Sequence, residues 1–386
     1  MSETQDKLQR ALEERSSRES LRSLTVNNGA VDFSSNDYLG FSRSEVLKKR
    51  IREEESRHST ENIGSTGSRL ISGNSEYYEG LEVHLAEFHR ADSGLIFNSG
   101  YDANLGIFSS VPQRTDTILY DQLVHASIRD GIRLSHARAF SFDHNNLESL
   151  ERRLKAQRPG GKALDGAGSV FVAVESVYSM DGDCAPLTEM SGICRKYGAN
   201  LIVDEAHATG VFGPRGEGNV VELGLEKDVF ARVHTFGKAL GVHGAIVLGS
   251  ETLRSFLINF ARSFIYTTAL PFHSLAAIRC AYELLSDDPE PTRCLRERIS
   301  FFKSQVRDSV MGRAIPSDSA IQCFVIPGNA KVKSVAREIQ VAGFDVRPIL
   351  HPTVPEGSER LRVCVHSFNT EEEIEKLLHK MEVLLK

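Results

Sequence analysis

From about residue 95 onward, short apolar runs alternate with longer segments of helical pattern. Thr117–Tyr120, Val170–Val174, Leu201–Val203 and Ala245–Leu248 are nearly continuous apolar blocks, and Val233–Phe236 is a run with apolar ends around His234 and Thr235; all five read as buried strands. Asn145–Ala156 and Leu187–Tyr197 carry the helical pattern between them. Strands that alternate with helices predict an α/β fold with a mainly parallel sheet between helical layers.

The two ends of the chain read differently. Residues 1–22 are polar, rich in Glu, Arg and Leu, and predict a mobile or docking helix. The segment Val31–Gly40 ends in turn chemistry, and Gly64–Gly73 is rich in Gly and Ser, which points to close backbone approach. A helix-rich stretch over 272–312 is followed by strand-like runs at Ile321–Ile326, Phe344–Ile349 and Leu361–His366, with helices over 331–342 and 370–385. The expected organisation is an N-terminal segment (1–40), a large domain (41–280) and a smaller α+β C-terminal domain (281–386).

Composition narrows the class. The chain has 386 residues, 40% hydrophobic and 25% charged, with a net charge of −6, so a soluble globular protein is expected and nucleic acid is not an expected partner. No apolar run approaches the ~20 residues of a membrane-spanning helix. Cys184, Cys194, Cys280, Cys294, Cys323 and Cys364 include no Cys-x-x-Cys pair, so no metal site is expected. No secretory leader pattern is present, which predicts a reducing, cytoplasmic setting.

Candidate chemistry clusters at or just after the ends of predicted strands, where open α/β sheets build their sites. Asp204-Glu205-Ala206-His207 follows the strand Leu201–Val203. As a helicase signature it would need an upstream G-x-x-x-x-G-K-[ST] loop, yet Gly161-Lys162 and Gly237-Lys238 are both followed by Ala. A strand-end acid capping the next turn is the plainer alternative. Lys238 sits in Thr235–Gly241 after the next strand; lysine forms Schiff bases with carbonyl cofactors, although a solvated lysine is the commoner case. His125, in Asp121–Ser127, has the flat ring to stack on a heterocycle, or it is a capping or core histidine. Asn98–Asn104 is a Gly-turn that opens a helix, a place where backbone N–H groups hold phosphate. An acid, a lysine, an upstream histidine and a phosphate turn in this order describe a site for pyridoxal 5'-phosphate.

Over nearly its whole length, from Asn36-Asp37-Tyr38-Leu39-Gly40 to Arg360-Leu361-Arg362, the sequence resembles the α-oxoamine synthases, a branch of the fold-type-I pyridoxal-phosphate enzymes. The stretches that carry the resemblance are GSTGSRLISGN (64–74), SGYDAN (99–104), HASIRDG (125–131), ESVYSMDGDCAPL (175–187), VDEAHATGVFG (203–213), TFGKALG (235–241) and PTVPEGSERLR (352–362).

The resemblance implies a seven-stranded, mainly parallel sheet in the large domain and an acyltransferase that joins an amino acid to an acyl thioester in a decarboxylative Claisen condensation. It implies that Lys238 carries the cofactor, that Asp204 pairs with the pyridine nitrogen, that His207 bonds the ring oxygen and that His125 stacks on the ring. Ser179 and Thr235 would lie beside the ring oxygen and the phosphate, and the backbone of Gly100 and Tyr101 would hold the phosphate. Thr267 and Thr268 would reach the phosphate from the second subunit of a homodimer with shared active sites. Asn36 and Arg362 would hold the amino-acid carboxylate.

Within the family, Asp204–Gly210 is most similar to the branch that condenses L-alanine with a pimeloyl thioester of CoA or a carrier protein in biotin biosynthesis. The other branches use glycine or serine, and lysine-less regulatory homologues also occur; Lys238 separates this chain from those. One departure stands out: Leu350 occupies the place where an arginine commonly precedes two prolines, which counts against serine. Arg347 is close by but points elsewhere if 344–350 is one strand. Arg22 is either a contact for a distal carboxylate of the acyl group or a solvated helix residue.

Overall fold

A computed structural model describes residues 2–24, 26, 29–58, 62–158 and 168–385. The Gly161-Lys162 pair lies outside these. The strands are β1 (Val31–Asp32), β2 (Ser93–Phe97), β3 (Thr117–Asp121), β4 (Arg138–Phe142), β5 (Val170–Glu175), β6 (Asn200–Asp204), β7 (Val229–Thr235), β8 (Ala245–Gly249), β9 (Ile321–Val325), β10 (Phe344–Asp345), β11 (Arg347–Ile349) and β12 (Arg360–Cys364). The chain divides into two compact units. The larger comprises Asp37–Tyr178 and Cys184–Arg293; the smaller comprises Met1–Asn36, Ser179–Asp183 and Cys294–Lys386. The division therefore falls at Cys294 rather than 281, and residues up to Asn36 belong with the C-terminal part.

The larger unit is built on a seven-stranded sheet of order β2-β8-β7-β6-β5-β3-β4. The neighbours from β7 to β4 all pair parallel, while β8 runs antiparallel to both β7 and β2. Two reversals return β2 to the direction of the parallel set, so β2, β3, β6 and β7 all end at the same edge of the sheet. Strand β5 is buried at every position. Val172, Ile202, Val203 and Val233 in the sheet pack with Ile107, Leu150 and Met190 from the helices. The helix Leu187–Tyr197 has the predicted bounds and ends at Gly198, whose φ of 60° suits a glycine C-cap. The helix predicted from Asn145 begins instead at Leu147, because Asn146 is its cap and Asn145 has a φ of 51°.

Strands β2 and β4 do not stand out among the apolar runs. β2 opens with Ser-Gly, and β4 is an edge strand with alternating exposure that needs few apolar residues.

In the smaller unit, β9, β12 and β11 form an antiparallel sheet with β12 central, and β1 pairs parallel with β10. The single strand predicted over Phe344–Ile349 is broken at Val346: one half follows β1 and the other follows β12. Arg347 is consequently not placed by strand alternation across the whole run. Its guanidinium turns back to Asp345, with Nη2 3.1 Å from Oδ2. The N-terminal helix, Glu3–Ser17, has no buried residue. Among the described residues, no helix is long and apolar enough to cross a membrane.

Candidate active site

The end of β6 sends its two acids to different places. Asp204 is buried; Oδ1 accepts from the Ala206 N–H at 2.9 Å and Oδ2 accepts from Asn104 Nδ2 at 2.7 Å. It thus caps the next turn and also keeps one oxygen facing the helix Gly100–Ser110. Glu205 is fully buried and accepts from the Asn219 and Val220 N–H groups at 2.8 and 3.2 Å. Burial pushes its carboxyl up to about 7, against the pull of the Arg232 guanidinium and these backbone donors. Glu205 is therefore a support inside the fold, and Asp204 is the acid at the strand edge. His207, also buried, has Nδ1 2.8 Å from the hydroxyl of fully buried Tyr38.

The turn after β7 holds Lys238. Gly241 N–H donates to the Lys238 carbonyl at 2.9 Å, Val242 N–H to the Phe236 carbonyl at 3.0 Å, and Phe236 N–H to the Gly244 carbonyl at 2.9 Å. Gly241 has a φ of 64°, and a Cβ there would stand 2.2 Å from the Ser42 backbone nitrogen, so only glycine closes this turn. Thr235, at the end of β7, lies against the phosphate turn: a Cβ on Gly100 would be 3.5 Å from Thr235 Cβ. Ser99 caps the helix Gly100–Ser110 by accepting from the Asp102 N–H at 3.1 Å, which leaves the Gly100 and Tyr101 N–H groups as the helix's open donors. The Tyr101 hydroxyl points away and donates to Asp130 Oδ2 at 2.6 Å.

His125 caps the helix Ala126–Leu134, and Asp121 shapes the loop before it by accepting from the Leu123 N–H at 2.8 Å and the Asn145 N–H at 2.8 Å. The residue is exposed by accessible area, yet the protein packed around it withdraws water from the imidazole. That surrounding protein holds its pKa below the ordinary histidine value; the Asp204 carboxylate opposes the effect and the Lys238 ammonium adds to it. Asn104 bonds both Asp204 and Ser127, and Ser127 bonds His125, so His125 and Asp204 belong to one hydrogen-bonded cluster.

Thr267 and Thr268 lie at the phosphate turn of their own chain. Asn98 Nδ2 donates to Thr267 Oγ1 at 2.9 Å and to the Thr268 carbonyl at 2.8 Å.

In the smaller unit, Arg362 is buried on β12. Its Nη2 donates to Asn36 Oδ1 at 2.9 Å and its Nε to the Ser179 carbonyl at 2.8 Å. The residues expected to hold the carboxylate are thus together, with Ser179 present through its backbone. Arg22 is not simply solvated: its Nη2 donates to Thr353 Oγ1 at 3.1 Å. Sequence reasoning assigned nothing to Asn104, Ser127 or Tyr38, although all three lie inside the stretches quoted above; only their tertiary partners mark them.

An electron-sink cofactor with a pyridine nitrogen and a phosphate fits the larger unit. Asp204 is a fixed, acceptor-only carboxylate at the edge, the open N–H groups of Gly100 and Tyr101 suit a dianion, and Lys238 is the amine for an aldehyde. Residues 28–381 match the family described as aminotransferase class I and II. An 8-amino-7-oxononanoate synthase from Emericella nidulans is 46% identical over 97% of this chain and 94% of that protein. The chain belongs to the α-oxoamine synthases. An aminoacyl transferase, sphA, from Aspergillus fumigatus is 38% identical over 96% of this chain and 85% of that protein. A serine palmitoyltransferase solved with PLP superimposes with a TM-score of 0.83 at 28% identity, covering 92% of this chain and 87% of that one. The fold is that of the fold-type-I transferases, the protein is an acyltransferase and its cofactor is pyridoxal 5'-phosphate.

Proposed function

We propose that this α-oxoamine synthase condenses L-alanine with pimeloyl-CoA, releasing CoA and CO2 and giving 8-amino-7-oxononanoate for biotin biosynthesis. The observation that carries the choice of substrates is the 46% identity to the Emericella nidulans synthase along 97% of the chain. When bound, pyridoxal phosphate supplies an electron sink for negative charge at the amino acid's α-carbon. Asp204 keeps the pyridine nitrogen protonated, because a buried carboxylate with fixed donors favours a positive partner. Lys238 would hold the cofactor through its amine, and its free Nζ would take the α-proton. His207, steadied by the Tyr38 hydroxyl, bonds the ring oxygen, and His125 covers the ring. Ser179 is proposed beside the ring oxygen. Gly100, Tyr101 and Thr235 bind the phosphate at the helix terminus. Arg362 and Asn36 hold the carboxylate of the amino acid. Arg22, fixed by Thr353, meets the distal carboxylate of the pimeloyl group.

The protein is proposed to work in the cytoplasm as a homodimer with shared active sites, in which Thr267 and Thr268, though bonded to Asn98 of their own chain, also reach the phosphate site of the second subunit. Tyr266 and Ile71 are 72% and 84% exposed, apolar surface that such a contact would cover.

A second reading, with a different acyl group or amino acid, is favoured by the similarity to sphA. The deciding experiment measures free thiol release with alanine, glycine and serine against pimeloyl-, acetyl-, succinyl- and palmitoyl-CoA. Release confined to alanine with pimeloyl-CoA is expected. Release with serine and the long chain would replace the proposal.

A further inference from the structure

The helix that opens at the phosphate turn carries a second polar residue facing the site. Asn104 is buried, and its Nδ2 donates both to Asp204 Oδ2 at 2.7 Å and to Ser127 Oγ at 3.0 Å. An ionised carboxylate only accepts, so the amide nitrogen must be the atom that faces Asp204. Ser127 Oγ accepts from Asn104 and is therefore left to donate its own hydrogen. Its other partner is His125 Nδ1, at 2.7 Å. The Ser127 backbone N–H points at the same nitrogen from 3.2 Å and can only donate. His125 Nδ1 thus faces donors alone, which places the ring proton on Nε2.

We propose that Asn104 is a positioning residue that ties the acid expected at the ring nitrogen to the histidine expected over the ring: it fixes the Asp204 carboxylate directly and, through Ser127, sets the tautomer and tilt of His125. The inference rests on the reading that Asp204 and His125 flank the cofactor. A neutral imidazole with its proton on Nε2 presents an uncharged flat face to whatever it covers, while its Nε2–H points outward in the ring plane. An imidazolium would instead direct a proton from Nδ1 at the Ser127 N–H. The charged groups around His125 are Asp204 at the end of β6, Lys238 after β7 and Asp130 on its own helix. On the neighbouring helix, Tyr101 is bonded to Asp130 and Asp102 to Ser99. Asp130 and Asp204 both favour the imidazolium, so the donors at Nδ1 act against them.

The test follows the His125 imidazole in the cofactor-free full chain by NMR with isotope-labelled histidine, the resonance being assigned by its loss in His125→Gln. In the wild type, Nε2 is expected to carry the proton at neutral pH. In Asn104→Ala and Ser127→Ala, the titration midpoint of His125 should move up by about one pH unit, because each weakens donation to the neutral ring. Ser127→Thr, which keeps the hydroxyl, should restore it. A proton on Nδ1 in the wild type, or an unmoved midpoint in both alanine variants with intact thermal unfolding, overturns the proposal. Cofactor titration of the wild type and of Asp204→Asn judges the site itself separately. Equal affinities there would remove the reading of the site without touching the NMR result.

Discussion

Asp204 and Glu205 are adjacent acids with opposite fates, and the difference lies in which way each side chain leaves the end of β6. Asp204 reaches Asn104 and the sheet edge, whereas Glu205 turns inward to the amides of Asn219 and Val220. Asp204→Asn replaces an acceptor-only group with an amide that cannot hold the pyridine nitrogen protonated. Turnover is expected to fall by at least about a hundredfold, the usual scale for losing one well-placed electrostatic partner. Near-normal steady-state kinetics would refute the role. Arg362 is held by Asn36 and the Ser179 carbonyl before any substrate arrives. Arg362→Ala should raise KM for the amino acid at least about tenfold, the loss of one charge-assisted hydrogen bond, with a much smaller effect on KM for the acyl thioester. Equal changes in the two KM values would count against a carboxylate contact.

At the scale of elements, the site depends on turns more than on the strands they follow. The Lys238 turn closes only because Gly241 adopts positive φ against the Ser42 backbone. Gly241→Ala is expected to lose more than about 1 kcal/mol of stability in denaturant unfolding and to weaken cofactor binding, since the turn must move to relieve the clash. A variant of unchanged stability and cofactor affinity would show that the turn tolerates a Cβ. The strands β5 and β6 were legible as apolar blocks because parallel strands covered on both faces admit little else, whereas β7 mixes Arg232, His234 and Thr235 with its apolar residues. β4 was not, because an edge strand needs few apolar side chains. The run from Phe344 to Ile349 reads as one strand and serves two sheets, since the change of partner at Val346 leaves no mark in composition.

At the scale of the molecule, the larger unit buries a polar cluster beneath the sheet edge. His234 Nδ1 lies 2.9 Å from Thr209 Oγ1, and the His234 ring lies 3.9 Å from the His89 ring. His89 in turn bonds the Glu217 carbonyl and the Tyr282 hydroxyl, both at 2.8 Å. Burial pushes His89 down to about 3 and His234 well below its ordinary value, while Glu205 rises to about 7. Below about pH 6.5 the unfolded chain protonates both histidines and the folded chain does not, so stability from these two is lost as pH falls. Glu205 works the other way: between about 7 and its unfolded value the folded state holds the extra proton, and stability grows as pH falls. Two groups oppose one, so thermal stability should decline from pH 6.5 towards 5. His89→Gln should flatten that decline. A midpoint that rises over the same range would contradict the assignment of neutral, buried histidines.

The sequence by itself determined the fold class and the alternation of strands and helices, and it marked Asp204, Lys238 and His125 just beyond strand ends; Asn36 and Arg362 were marked only by the family resemblance. Apolar periodicity and strand-end chemistry are local properties, and a run of ordered motifs carries the family. The tertiary structure decided what each of those residues leans on. Tyr38 is 169 positions from His207 and Asn104 is 100 positions from Asp204. Contacts at such separations depend on how β2, β3, β6 and β7 align at one edge of the sheet, and no local pattern of residues encodes that alignment.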